Sequence, residues 1–127
     1  MLNQIKLMPV LKCSADDSII DVAKQLKQSI QRHIYVADKN DYPIGIISTT
    51  DMNNKVIAEG KHPKALAAKD IMTKKIEVYD INEEAIKVFN EMKQNRRMAV
   101  AVVKNRKFEG VLSFNMLLNH ITSGVRR

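Results

Sequence analysis

The chain has 127 residues, a formal charge of +7 and a single cysteine, Cys13. That length suits one compact domain or two fused small repeats and can bury a core without disulfides or metals, and one cysteine excludes an internal disulfide. No apolar run is long enough to span a bilayer and residues 1–6 lack the apolar stretch of a signal peptide, so the expectation is a cytoplasmic protein with no membrane insertion.

Taken in chain order, the elements come twice. Residues 9–13 read as a short strand after the dipeptide Leu7-Met8. Ser18 and Asp21 have the spacing of a capping box, and Ile19, Ala23, Leu26 and Ile30 recur behind them at helical intervals. Ile34-Tyr35-Val36-Ala37 and Tyr42-Pro43-Ile44-Gly45-Ile46-Ile47-Ser48 read as strands around the polar turn Asp38-Lys39-Asn40-Asp41. A second helix is predicted from Thr49 to about Glu59. Gly60-Lys61-His62-Pro63-Lys64 interrupts helix and reads as a connector. The order then repeats: Ile71-Met72, a strand at residues 75–79, and a helix carrying Ala85, Val88, Phe89 and Met92, with Asp80 and Glu83 as caps. Paired strands flank Lys104-Asn105-Arg106-Lys107, and a last helix spans Phe114 to about Ile121. The two glycine-centred strings, around Gly45 and Gly110, lie 65 residues apart. A unit that exposes one apolar sheet face is satisfied by a second unit. The expected fold is therefore α+β: two β-α-β-β-α repeats packed sheet to sheet with pseudo-twofold symmetry. Repeat 1 covers residues 1–60, the connector 61–67, repeat 2 68–122, and residues 123–127 form a patternless mobile tail.

The sharpest local feature is Gly45-Ile46-Ile47-Ser48-Thr49-Thr50-Asp51, where a strand turns into a helix. Gly45 permits close approach of backbone or ligand. Ser48 and Thr50 offer hydroxyls beside helix N–H groups that favour an anion, and the Asp51 carboxylate can accept from a ribose diol. Ser-x-x-Asp is equally the spacing of a capping box, and these residues alone leave both readings open. In the second copy the string reads Gly110-Val111-Leu112-Ser113-Phe114-Asn115-Met116. Serine is kept, but a thioether stands where the acid was, so a second nucleotide site would be weaker, altered or empty.

The chain resembles a tandem pair of CBS (cystathionine-β-synthase-type) domains, a Bateman module. Four segments carry the resemblance: Ala68-Lys69-Asp70-Ile71-Met72-Thr73; residues 80–89 with Glu84-Ala85; Arg32-His33-Ile34-Tyr35-Val36-Ala37-Asp38, with Tyr35 where proline is common; and residues 45–51. It spans residues 7 to 121. It implies a regulatory sensor that binds an adenosine-containing ligand (AMP, ADP, ATP or an S-adenosyl compound) in the cleft between repeats. Ser48 would meet phosphate and Asp51 ribose. Arg32, with its neighbour His33, would supply a cation, and Cys13, Ser14 and Ala15 would wall the adenine with Ile34 and Tyr35. Ser113 and Arg97, the latter aligned with Arg32, would serve the weaker second site. The resemblance also implies a homodimer and a regulated enzyme or transporter as partner.

Other features point elsewhere or nowhere. The three histidines are scattered, so no metal site is expected. Cys13 reads as a buried inert thiol, and Glu83 and Glu84 as charges favoured at a helix N-terminus. With no nucleophile, acid/base pair or catalytic cofactor in view, the protein is not expected to be an enzyme. The positive excess sits mainly in residues 65–127, with twelve Lys/Arg against seven Asp/Glu. Lys93, Arg96, Arg97, Lys104, Arg106 and Lys107 cluster there, which keeps a nucleic-acid-binding module open as an alternative. A ligand-free dimerisation scaffold is the other.

Overall fold

The computed structural model describes residues 1–125. The architecture is α+β, with two three-stranded sheets ordered β1-β2-β3 and β4-β5-β6. The chain forms two compact units, and they do not follow chain order. One unit is Leu11–Ile76; the other joins Met1–Val10 to the chain from Glu77 onward.

The Leu11–Ile76 unit contains β1 (Lys12–Ser14), α1 (Ile19–Lys27), β2 (His33–Ala37), β3 (Pro43–Ser48), α2 (Thr49–Met52), a π-helical turn (Asn53–Ile57), a 3-10 turn (Pro63–Ala65) and α3 (Ala68–Ile71). β1 runs parallel to β2, and β2 antiparallel to β3. Helix α1 starts where Ser18 accepts the Asp21 N–H. It buries Ile19, Val22 and Leu26 on one face against Ile34, Val36 and Ile47. Each such side chain contributes about 1.5–3 kcal/mol when fully removed from water. Ile30, expected on that face, lies beyond the helix end and is fully exposed. The strand forecast at residues 9–13 is realised at Lys12–Ser14. The helix forecast from Thr49 to Glu59 is α-helical only to Met52. It then widens into the π turn, closed by the Ala58 N–H on the Asn53 carbonyl, 2.8 Å. Leu66 of the connector packs on this unit's core, and so do Ala68, Ile71 and Met72, which were expected to open repeat 2.

The other unit contains a 3-10 turn (Leu2–Gln4), β4 (Val78–Asp80), α4 (Ala85–Gln94), β5 (Ala99–Lys104), β6 (Lys107–Ser113) and α5 (Phe114–Val125). Its core gathers Leu2, Ala85, Val88, Met92, Val100, Val102, Leu112 and Leu117. The strand forecast at 75–79 is realised in shorter form, starting three residues later and ending one later, at Val78–Asp80. Asp80 does not cap α4: its carboxylate accepts the Asn82 N–H, and the N-cap is Glu84, with no side-chain cap bond. β5 and β6 turn through Asn105 and Arg106, both with positive φ, the backbone of a two-residue hairpin. Helix α5 continues to Val125, so residues 123–125 are helical rather than a patternless tail, while Arg126 and Arg127 lie outside the described residues.

The units cross chain order because each central glycine receives its lead-in segment from the other repeat. A Cβ on Gly45 would sit 2.6 Å from the Met72 Sδ, and one on Gly110 would sit 2.6 Å from the Leu7 Cβ. Beside these contacts, Thr73 exchanges backbone hydrogen bonds with Ile46, and Met8 with Val111. The pairing equates Leu7 with Met72 and Met8 with Thr73, one residue off the dipeptide match read from the sequence.

Candidate ligand-binding site

Strand pairing places His33 opposite Ser48, and the Thr49 N–H donates to the Arg32 carbonyl at 3.2 Å. Arg32, His33, Ser48, Thr49, Thr50 and Asp51 therefore gather at one end of the sheet, where Arg32, His33, Thr49 and Thr50 are exposed. Ser48 caps α2 by accepting the Asp51 N–H at 3.0 Å. In return, Asp51 Oδ2 accepts the Ser48 N–H at 2.9 Å and the Ser48 hydroxyl at 3.2 Å. The capping box forecast as one of two readings is closed.

Asp51 does more than cap. Its Oδ1 lies 3.1 Å from Lys55 Nζ, and that ammonium also donates to the Ile71 carbonyl at 2.8 Å. Burial pushes the Asp51 carboxyl up. The Ser48 N–H, Lys55 and the Ser48 hydroxyl together outweigh it and hold the group below its ordinary 3.8. A half-buried carboxylate kept ionised beside exposed hydroxyls and a cationic strand start can accept hydroxyl donors and tolerate a neighbouring anion.

The remaining forecast residues scatter. Gly45 is buried in mid-strand, and the space its missing side chain leaves is taken by Met72 rather than left for a ligand. Ile34 is wholly buried in the core, and Tyr35 is also buried, which removes both from an open adenine wall. Cys13 and Ser14 pair with Val36 and Ala37, at the opposite end of β2 from His33. Four strand steps separate those ends, about 13 Å. There, with Ala37, Cys13 and Ser14 line a separate recess of about 320 Å³ together with Lys12, Asp17, Asp38, Lys39 and Asp41. Its acids are engaged: Asp17 accepts the Ser14 N–H, Asp38 those of Asn40 and Tyr42, and Asp41 pairs with Lys12. Desolvation, helped by Asp17, pushes the Cys13 thiol up to about 12, so it is a poor nucleophile.

In the second unit Ser113 still caps its helix, accepting the Met116 N–H at 3.1 Å. Phe114, at the position of Thr49, stacks on Phe89 with ring centroids 5.0 Å apart. Arg97 is not the counterpart of Arg32. Ala99 pairs with Ser113 and the Phe114 N–H donates to the Met98 carbonyl, so Met98 takes that place. The reason is a hairpin shorter by one residue, which shifts the first strand of the pair relative to the second. Arg97 instead lies beside Glu77, Nε to Oε1 3.9 Å, too long for a hydrogen bond. Sequence reasoning passed over Lys55 and named Met72 and Thr73 only as part of a family segment, not as neighbours of Gly45 and Ile46. Lys55 was within reach as the i+4 partner of Asp51, whereas Met72 and Thr73 arrive only by long-range pairing.

The family comparison gives this arrangement its context. The CBS domain model matches residues 4–57 and again 68–123, most of the chain. The chain belongs to the CBS domain family. Among curated relatives, the uncharacterized protein MK0525 of Methanopyrus kandleri is 26% identical over 92% of this chain and 60% of its own length. The mitochondrial CBS domain-containing protein CBSX3 of Arabidopsis thaliana is 26% identical over 81% of this chain and 52% of its own length. The chain thus spans little more than half the length of these relatives. Staphylococcus aureus OpuCA shares the fold with a TM-score of 0.76 at 17% identity, covering 93% of this chain and 97% of that one. The CBS domain structure NE2398 does so with 0.72 at 23% identity, covering 95% and 94%. CBS pairs are in general regulatory modules. Among the described residues no helix is long and apolar enough to cross a membrane.

Proposed function

We propose that this CBS pair is a sensor module that binds an adenosine-containing ligand (AMP, ADP, ATP or an S-adenosyl compound) against the turn from β3 into α2, and that it regulates a partner enzyme or transporter rather than catalysing a reaction. The observation that carries this reading is the half-buried, ionised Asp51 at the head of α2, flanked by the exposed Thr49 and Thr50 and by Arg32 and His33. The carboxylate suits a sugar diol, while the hydroxyls and cationic strand start suit phosphate. The Ser113 site, with Met116 and the Phe114–Phe89 stack in place of acid and hydroxyls, is proposed not to bind the same ligand. Self-association is part of the proposal, and a structural neighbour, a cyanobacterial CBS-CP12 protein, is hexameric.

Calorimetry and thermal shift with AMP, ADP, ATP, S-adenosylmethionine and methylthioadenosine test the reading. A ligand at 100 times its Kd stabilises the fold by about 2.7 kcal/mol. Absence of any response from protein shown to be ligand-free removes it. The closed capping box favours a second reading, a scaffold in which Asp51 serves only its own helix. That reading predicts no adenosyl response and an oligomer indifferent to nucleotides.

A further inference from the structure

Lys55 occupies a place that neither the capping box nor a nucleotide explains. One ammonium holds two groups, the outer oxygen of Asp51 and the carbonyl of Ile71, which lies two residues before the Thr73 that pairs with β3. Carboxylate lone pairs are limited. Oδ2 already accepts two donors from Ser48, and Oδ1 accepts Lys55, so one acceptor position remains. A ribose diol brings two donors, and the acid cannot take both while Lys55 stays.

Lys55 also has somewhere to go. It lines an open recess of about 390 Å³ together with Glu59, Lys61, Leu66, Asp70 and Ile71. Asp70 Oδ2 is engaged by the Ala67 N–H, but Glu59, four residues beyond Lys55, is exposed. The lysine thus stands between an acid four residues before it and an acid four residues after it. The segment that carries it is the π turn, whose wider helix is a local departure from regular geometry.

We infer that Lys55 is a displaceable internal occupant of the sugar-binding acid: a ribose hydroxyl takes its place on Asp51, the ammonium swings toward Glu59, and the Ile71 carbonyl is released. Occupancy at the head of α2 is thereby transmitted to the Ile71–Thr73 strap. This rests on the adenosyl reading above.

Adenosine, which carries no phosphate, is the probe, with Lys55→Met and Glu59→Gln in the full chain. Removing a partly exposed competing ion pair should tighten adenosine binding about 2–5-fold in Lys55→Met. Glu59→Gln, which removes the receiving acid, should act in the opposite direction. Amide exchange at Thr73 should quicken when wild type is saturated with adenosine, and should already be fast and ligand-insensitive in Lys55→Met. In ligand-free Lys55→Met the Asp51 carboxyl should titrate at higher pH by NMR. Unchanged or weaker adenosine binding in Lys55→Met overturns displacement, and a Thr73 amide that ignores adenosine overturns transmission. If weakening appears with AMP and ATP alone, Lys55 is a phosphate contact instead, and the inference falls. If wild type binds no adenosyl compound, the proposed function fails and displacement with it. The ligand-free titration of Asp51 then still reports whether the tie exists.

Discussion

The two units share one plan and differ where chemistry would occur. At the head of α2 the Leu11–Ile76 unit carries Thr49, Thr50 and the ionised Asp51. At the head of α5 the other unit carries Phe114, Asn115 and Met116, with Phe114 stacked on Phe89. The capping serine survives in both. A cap needs only a hydroxyl on a backbone N–H, so the fold keeps it in each copy, while the acid and the hydroxyls are dispensable to the second helix. At the foot of the sheets the contrast runs the other way. The Leu11 carbonyl accepts the Tyr35 N–H, and the Glu77 carbonyl accepts the Ala101 N–H at the same register. Apolar Leu11 is thus matched by Glu77, which with Glu91 and Arg97 leaves buried polar atoms without hydrogen-bond partners.

The largest expected effect breaks the comparison at the third helix position. Asp51→Ala should weaken AMP binding about 10–100-fold through loss of a charge-assisted hydrogen bond worth about 1.5–3 kcal/mol. Met116→Ala should leave the affinity within about twofold, because this thioether packs against its own unit's core and offers a ligand no charge-assisted hydrogen bond. Isothermal calorimetry on both variants decides it, and equal losses would show that the units do not differ as described. Next come the glycines. Gly110→Ala should destabilise by about 1–3 kcal/mol in urea, since the clash falls on the Leu7 Cβ and the Met8 carbonyl, close to the main chain. Gly45→Ala should cost less, because the flexible end of Met72 can move aside. A reversed order in the two midpoints would mean that the lead-in segments pack differently.

Smaller still are the caps. Ser48→Ala and Ser113→Ala should each cost about 0.5–2 kcal/mol, with Ser48→Ala the costlier because Asp51 also bonds its hydroxyl. Comparing both midpoints with an Asp51→Asn background sharpens the difference. The pH dependence comes last. Asp51 has a lowered folded pKa, so its contribution is present above its unfolded value near 3.8 and is lost as the pH falls through the folded value. Asp51→Asn should therefore flatten the acid limb below that point. Cys13 and Tyr79 take the same register position in their two sheets. Desolvation with Asp17 pushes Cys13 from 9.0 up to about 12, and desolvation with Glu77 pushes Tyr79 from 10.0 up to about 12. Their unfolded forms lose the proton first, so stability declines as the pH rises above about 9–10. Cys13→Ala and Tyr79→Phe should each lessen that decline in thermal melts. Native Cys13 should resist iodoacetamide at pH 8 and react only on unfolding.

Much of this was legible in advance, for reasons that particular residues show. Ser18, Ser48 and Ser113 announced their helices because a cap is a local bond across three residues. The α1 and α4 faces were readable from the spacing of Ile19 and Leu26 and of Ala85, Val88 and Met92. Ile30 misled because periodicity does not say where a helix stops. Arg97 misled because one residue lost from a hairpin shifts a strand without leaving a mark in its composition. Cys13 and Ser14 misled because closeness to a strand end does not say which end of the neighbouring strand it meets, and Ala15 packs against the core with its carbonyl accepting the Lys69 N–H.

The sequence by itself determined the elements, their repetition and the acid in one copy against the thioether in the other, since caps, periodicity and residue identity act over a few neighbouring positions. Only the tertiary structure decided that Met1–Val10 belongs with the chain from Glu77, that Met72 fills the space over Gly45, and that Lys55 holds Asp51 to the Ile71 carbonyl. Those outcomes depend on backbone pairing and burial between distant segments, where the register of one strand against another selects which side chains meet.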